Sequence, residues 1–123
     1  MKKNKTTKIA VGAILLASLA ATGGAAFAGN SAYCTNAWVC VYDDSGFSKG
    51  MGWRTAGFSL QNVSLANNDK MSSWENRTGT YARWYVNING GGDCHPMAPY
   101  SEVANLYFWE NDQMSSWAGN GIC

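Results

Sequence analysis

The second half of the chain repeats the first. Laying residues 38–80 over 81–123, a shift of 43, aligns Tyr42 with Tyr85, Asn62 with Asn105, and Asn68-Asp69-Lys70-Met71-Ser72-Ser73-Trp74 with Asn111-Asp112-Gln113-Met114-Ser115-Ser116-Trp117. Six of those last seven positions are identical. Unrelated sequence would match at about one position in twenty, so one supersecondary unit has been duplicated. A unit of 43 residues suits four short strands with their turns, the size of one Greek key. Two such keys packed face to face make a small β-sandwich.

Local composition agrees with an all-β chain. Val39-Cys40-Val41-Tyr42, Tyr81 to Val86, and Val103-Ala104-Asn105-Leu106-Tyr107-Phe108-Trp109 are β-branched or aromatic runs that predict strands. Clusters at Asp43 to Gly46, Asn67 to Asp69 and Asn87 to Asp93 supply the turns between them. No long Ala/Leu/Glu/Lys stretch of helical period interrupts the pattern.

The repeats leave the N-terminus unexplained. Lys2, Lys3, Lys5 and Lys8 precede an apolar or small run from Ile9 to Ala21, and Ala26-Phe27-Ala28 supplies a small-x-small cleavage signal. Residues 1–28 therefore read as a secretory leader and 29–123 as one domain. The 13 residues of the run are too few for a bilayer, whose span needs about 20, so no membrane anchor is expected. Four of the nine basic residues leave with the leader while all eight acidic ones stay, giving the mature chain a net charge of −3. A surface so poor in Arg and Lys lacks the basic stripe that phosphate contacts need, which excludes nucleic acid as a partner.

All four cysteines, Cys34, Cys40, Cys94 and Cys123, fall in the mature part. An even number in a small exported chain without CxxC reads as two disulfides rather than a metal site. Four cysteines allow three pairings, which sequence alone does not resolve. Proximity favours Cys34 with Cys40, leaving Cys94 with Cys123 to tie down the C-terminus. Staples are expected, because the 95 mature residues with 15 aromatics can build one core, yet a domain of this size buries only about 60–65% of its unfolded surface.

The duplicated segment also carries a family resemblance. The pattern Asn/Asp, Asn/Asp, x, x, Ser/Thr, Ser, here Asn68 to Ser73 and again Asn111 to Ser116, resembles the calcium signature of the βγ-crystallin superfamily. The aromatic-x4-aromatic-x-Gly start of each key is matched in part. Tyr42 and Phe47 fit with Lys49 in the Gly position, and Tyr85 and Gly92 fit with Gly90 in the second aromatic position. Within that superfamily the Cys-x5-Cys-x-Tyr opening makes the chain similar to the secreted peptidase-inhibitor family typified by the streptomycete metalloproteinase inhibitor, over essentially all of 33–123.

The resemblance implies up to two calcium ions. Asp69 and Asp112 would give carboxylates, Ser72 and Ser115 hydroxyls, and Lys70 and Gln113 main-chain carbonyls. A further carbonyl would come from the first hairpin of the opposite repeat, near Asp43 and Asp44 or near Val86 and Asn87. Chemistry supports it, since Ca²⁺ takes six to eight oxygen ligands in flexible geometry and a turn rich in Asp and Ser offers them. Lys70 beside the first site would weaken it by repulsion. Asn-Asp and Ser-Ser also serve as ordinary turn residues that satisfy local backbone groups.

The resemblance further implies a monomeric inhibitor of an extracellular peptidase, not an enzyme. In that family a short disulfide-closed loop of the second repeat meets the protease. The corresponding stretch here is Asp93 to Tyr100, with Cys94, His95, Pro96, Met97, Ala98 and Pro99 as the contact segment. Its two prolines would rigidify a loop that holds only one of its disulfide's cysteines. Met97 would offer an apolar side chain to a protease pocket, and His95 would be in place to approach a catalytic zinc.

Two other functions compete. Six tryptophans would make a carbohydrate or cell-wall binder if several lay coplanar on one exposed face; an antimicrobial, toxin-like Greek-key protein is the third reading. Trp74 and Trp117, which follow the Ser-Ser pairs symmetrically, read instead as core plugs, and Met71 and Met114 as gap fillers. Catalysis has little to stand on. His95 is the single histidine, so HExxH is impossible, and no GxSxG nucleophile motif occurs.

Overall fold

The computed structural model describes residues 29–123, so the leader assigned to 1–28 lies outside the described residues. Eight strands form: β1 (Trp38–Asp44), β2 (Ser48–Thr55), β3 (Gln61–Asn62), β4 (Ser73–Asn76), β5 (Ala82–Tyr85), β6 (Cys94–Met97), β7 (Ser101–Val103) and β8 (Ser116–Ala118). Four come from each repeat. They build two four-stranded antiparallel sheets ordered β2-β1-β4-β7 and β3-β8-β5-β6. Each sheet therefore takes three strands from one repeat and one from the other, which interlocks the two keys.

The core follows from strand alternation. Val39 and Val41 of β1, Trp74 of β4, Ala82 and Trp84 of β5, Met97 of β6 and Trp117 of β8 meet Met71 and Met114 in one apolar cluster. Alternate residues of β1, Cys40 and Tyr42, point to the opposite face of the first sheet, where they pack with Cys34 and Phe47 under Tyr33 and Trp38. Residues 29–37 thus cover that outer face. The Cys34–Cys40 disulfide staples this cover to β1, and Cys94–Cys123 ties the C-terminus to β6.

Two expectations change. The aromatic run at 103–109 is not a strand, because β7 ends at Val103 and the following residues turn, with Glu110 N–H and Asn111 N–H donating to the Tyr107 carbonyl at 2.7 and 2.9 Å. The stretch from Cys94 to Met97 is no projecting loop but strand β6, paired to β5 from Cys94↔Tyr85 to Met97↔Ala82. Pro96 is tolerated there because β6 is a sheet edge with no further strand to receive its missing N–H.

Candidate functional site

The two Asn-Asp-x-x-Ser-Ser turns meet across a pseudo-twofold axis. Asp69 N–H donates to the Met114 carbonyl and Asp112 N–H to the Met71 carbonyl, both at 2.9 Å. The two aspartates hold matching left-handed backbones, φ 59° and 61°, a conformation that Asp tolerates better than most residues. The second serine of each motif clamps the hairpin of its own repeat. Ser73 Oγ donates to the Asp44 carbonyl and accepts from Phe47 N–H, while Ser116 Oγ donates to the Asn87 carbonyl and accepts from Gly90 N–H.

The first serines and the aspartates exchange partners between repeats. Ser72 Oγ donates to Asp112 Oδ1 at 3.3 Å, and Ser115 Oγ donates to Asp69 Oδ1 at 3.1 Å. Each carboxylate thus faces the serine and the hairpin of the opposite repeat, so neither motif makes a site by itself. Spacing within one motif could not have shown this. A cleft of about 630 Å³ opens beside the Ser72–Asp112 pair, lined by oxygen-bearing Asp44, Ser45, Ser48, Asn105 and Asn111. Among the described residues no three of His, Cys, Asp or Glu stand together. The donors are hydroxyls, amides and isolated carboxylates, hard oxygen atoms of the kind Ca²⁺ takes.

The segment expected to meet a protease is mostly inward. Met97 is fully buried in the core cluster and has no side chain to offer a pocket. Strand alternation accounts for this, since Met97 packs on the inner face beside Ala82. His95 is held rather than projecting. Its ring stacks on Trp84 with centroids 4.2 Å apart, and its Nδ1 lies 3.3 Å from Glu110 Oε2. Pro96 is exposed, while Cys94, Ala98 and Pro99 are half-buried.

Glu110 leads to a feature the sequence reading missed. Tyr107, Phe108 and Trp109 project from the β7–β8 loop with 65%, 85% and 56% of their surfaces exposed. Tyr107 and Trp109 stack face to face at 4.7 Å, and Phe108 sets its edge against Trp109 at 5.1 Å. At their foot a cleft of about 330 Å³ is lined by His95, Pro96, Leu106, Tyr107 and Glu110, joining β6 to the loop. The equivalent loop of the first repeat, offset by 43 residues, carries Ser64-Leu65-Ala66. That comparison was the available signal: the loop folds without aromatics in one repeat and carries three in the other.

The tryptophans do not form a flat platform. Trp74, Trp84 and Trp117 are in the core, and Trp38 and Trp53 stack on each other at 3.6 Å. Trp109 has one face covered by Tyr107. Asn76, the acceptor of a glycosylation sequon, is buried and spends its amide on the Thr80 and Met97 carbonyls.

Two keys with exchanged strands and paired Asn-Asp-x-x-Ser-Ser turns define a βγ-crystallin domain. Solved structures with this fold include a βγ-crystallin domain from Flavobacterium johnsoniae (28% identity, TM-score 0.56, covering 69% of this chain and 98% of that one). Another was solved in a study of how the eye lens βγ-crystallin domain fold evolved (22%, TM-score 0.57, 69% and 86%). A third is the βγ-crystallin from Ciona intestinalis (19%, TM-score 0.55, 68% and 99%). No curated protein matches the sequence. The profile of peptidase inhibitor family I36 matches residues 28–97, more than half of the chain, and the protein belongs to that family. Membership places it among inhibitors, with a peptidase as partner, and not among enzymes.

Proposed function

We propose that this chain is a secreted inhibitor of extracellular metallopeptidases, and that it engages its target through the aromatic loop Tyr107-Phe108-Trp109 together with exposed Pro96 and the His95–Glu110 pair. The observation that carries the reading is the asymmetry of the duplication. Both repeats keep the residues that build the fold, but only the second places three large aromatic side chains in water, where folding gives them no role. Tyr and Trp dominate the energetic centres of protein interfaces, because each offers large contact area with few rotatable bonds. Here the rings pack on one another and the Glu110 carboxylate lies 3.3 Å from His95 Nδ1, so the loop is braced before docking and loses less entropy on binding.

Calcium belongs to the same reading as a scaffold ion. Asp112, Ser72 and the Gln113 carbonyl would hold one ion beside the Asp44 hairpin. Asp69, Ser115 and the Lys70 carbonyl would hold another beside Asn87. An ion so placed supplies a cross-link between repeats and no chemistry. The lysine next to Asp69 makes that second position the weaker of the two.

The test is inhibition by purified residues 29–123 of a thermolysin-like metallopeptidase and of subtilisin-like and trypsin-like serine peptidases. Metallopeptidase inhibition at submicromolar protein supports the reading. Inhibition confined to serine peptidases removes the target class, and no inhibition of any at micromolar protein removes the function.

A further inference from the structure

Glu75 is an anomaly in the outer layer of the first sheet. It is 0% exposed. Its Oε1 accepts from the Tyr42 hydroxyl and, at 3.2 Å, from Asn30 N–H. Its Oε2 is buried with no hydrogen-bond partner among the described residues. On the neighbouring strand its register partner is Glu102, so a second carboxylate stands opposite. Buried carboxylate oxygens are ordinarily paired, because an uncompensated one carries the full desolvation penalty.

Gly29 lies against that oxygen. A Cβ added to Gly29 would overlap the Glu75 carboxylate, so any larger residue would have to displace that carboxylate. The next residue is fixed in place: Asn30 donates through Nδ2 to the Phe47 carbonyl at 3.3 Å, and accepts from Tyr33 N–H at 3.1 Å and Cys34 N–H at 2.8 Å. Gly29 is also the residue that follows the Ala26-Phe27-Ala28 cleavage signal.

We infer that hydrolysis of the Ala28–Gly29 bond creates an α-ammonium that pairs with Glu75 Oε2, so that removal of the leader completes and locks the fold. The inference rests on the secretory-leader reading and goes beyond it. Water supplies hydroxyl to the Ala28 carbonyl carbon as the C–N bond breaks. Ala28 leaves as a carboxylate, and the Gly29 nitrogen, keeping a proton from water and taking one more from solvent, becomes –NH3⁺. An uncleaved Gly29 offers a neutral amide with one donor; the cleaved one offers a charge and three donors beside an oxygen that has none. The other titratable or charged groups on this face are Tyr33, Tyr42, Glu102 and Arg77, which donates to the Cys34 carbonyl.

Three measurements test this. Intact mass of the protein secreted from the full chain should show Gly29 first; a different start overturns both the leader boundary and the ion pair. Residues 29–123 hold both sheets and both disulfides, so stability is compared on that chain, with and without one added N-terminal Ala, in the parent and in the Glu75→Gln variant. The added residue should lower the folding equilibrium constant about tenfold to a hundredfold in the parent and far less in the variant, as expected for a hydrogen bond between charged groups. Should Glu75→Gln fail to fold, ¹³C-labelled Gly29 in the parent reports the α-amino titration, with a midpoint expected above the ordinary value of about 7.7–8.0. With Gly29 confirmed as the start, an added residue that changes stability less than about twofold, or an ordinary midpoint, overturns the ion pair and leaves the leader standing.

Discussion

Lys49 holds a left-handed backbone, φ 60°, where the second repeat has Gly92 at φ 73°. Two residues earlier Phe47, φ 61°, stands where the second repeat has Gly90 at φ 72°. The hairpins thus share one backbone path, and the first repeat follows it with side chains that disfavour it. Phe47 is offset by packing on Tyr42, ring centroids 5.8 Å apart. Lys49 has only an exposed pair with Asp44 at 3.7 Å, which contributes little. Lys49→Gly should therefore stabilise the protein by about 0.5–1 kcal/mol, the left-handed strain relieved less the extra freedom of glycine in the unfolded chain; urea unfolding that shows a loss would refute the strain. Tyr42 yields a pH dependence. Burial first, then its bond to Glu75 and the charge of that carboxylate, push its hydroxyl well above the ordinary phenol value, and burial raises Tyr33 against the pull of Arg54. Because the folded state keeps these protons longer than the unfolded chain, their contribution is intact below about pH 10. Above that pH it falls by up to about 1.4 kcal/mol per unit for Tyr42, and Tyr33 adds a smaller fall of the same sign. Tyr42→Phe should cost about 1–3 kcal/mol at neutral pH, since Glu75 loses a donor, and should flatten the fall measured between about pH 10 and 11. An unchanged slope would mean that Tyr42 titrates normally.

Among the elements, β1 and β5 were readable because their runs of Val, Tyr and Trp alternate across the sheet, between two buried faces in β1 and between a buried and a half-buried face in β5. The 103–109 run misled for a physical reason. Strand propensity measures how a side chain fits a covered, pleated surface, and beyond Val103 no neighbouring strand or second sheet is there to cover it. Only Leu106 turns inward, its N–H donating to the Ser72 carbonyl at 3.1 Å. The prolines of 96–99 misled the other way, since they read as stiffening a loop where a sheet edge accepts one. The cysteine pairs favoured by spacing, Cys34–Cys40 and Cys94–Cys123, are those present. Their sequence separations of 6 and 29 set their worth in the chain-entropy view, about 2 kcal/mol for the short loop and about 3–4 for the long one. Replacing Cys94 and Cys123 together by Ser should therefore destabilise more than replacing Cys34 and Cys40. The reverse order in denaturant midpoints would mean that the N-terminal cover, with Tyr42 and Glu75 beneath it, depends on its staple more than loop entropy allows.

For the molecule as a whole, the 43-residue repeat announced two related keys, and the paired motifs pointed to their fold. Pairwise alignment could not announce that β3 and β7 change sheets or that Asp69 serves Ser115 and Asp112 serves Ser72, because such exchange is a property of two copies docked together. It makes each proposed calcium ion a clasp between repeats. Free calcium at about ten times its dissociation constant should add about 1.4 kcal/mol per site. Asp112→Ala should remove more of the resulting rise in Tm than Asp69→Ala, whose site adjoins Lys70. A Tm unmoved by millimolar calcium would end the metal assignment and leave the fold untouched. The central claim, that the second repeat's aromatic loop is the inhibitory surface, has a control within the same chain, because Leu65, 95% exposed, occupies in the first repeat the place of Phe108. The direct measurement is the inhibition constant against the metallopeptidase for Phe108→Asp beside Leu65→Asp. Phe108→Asp should weaken inhibition by about tenfold or more, as loss of an interface anchor does, with Leu65→Asp equal to the parent. Equal constants for Phe108→Asp and the parent, or equal losses in both variants, would contradict the claim.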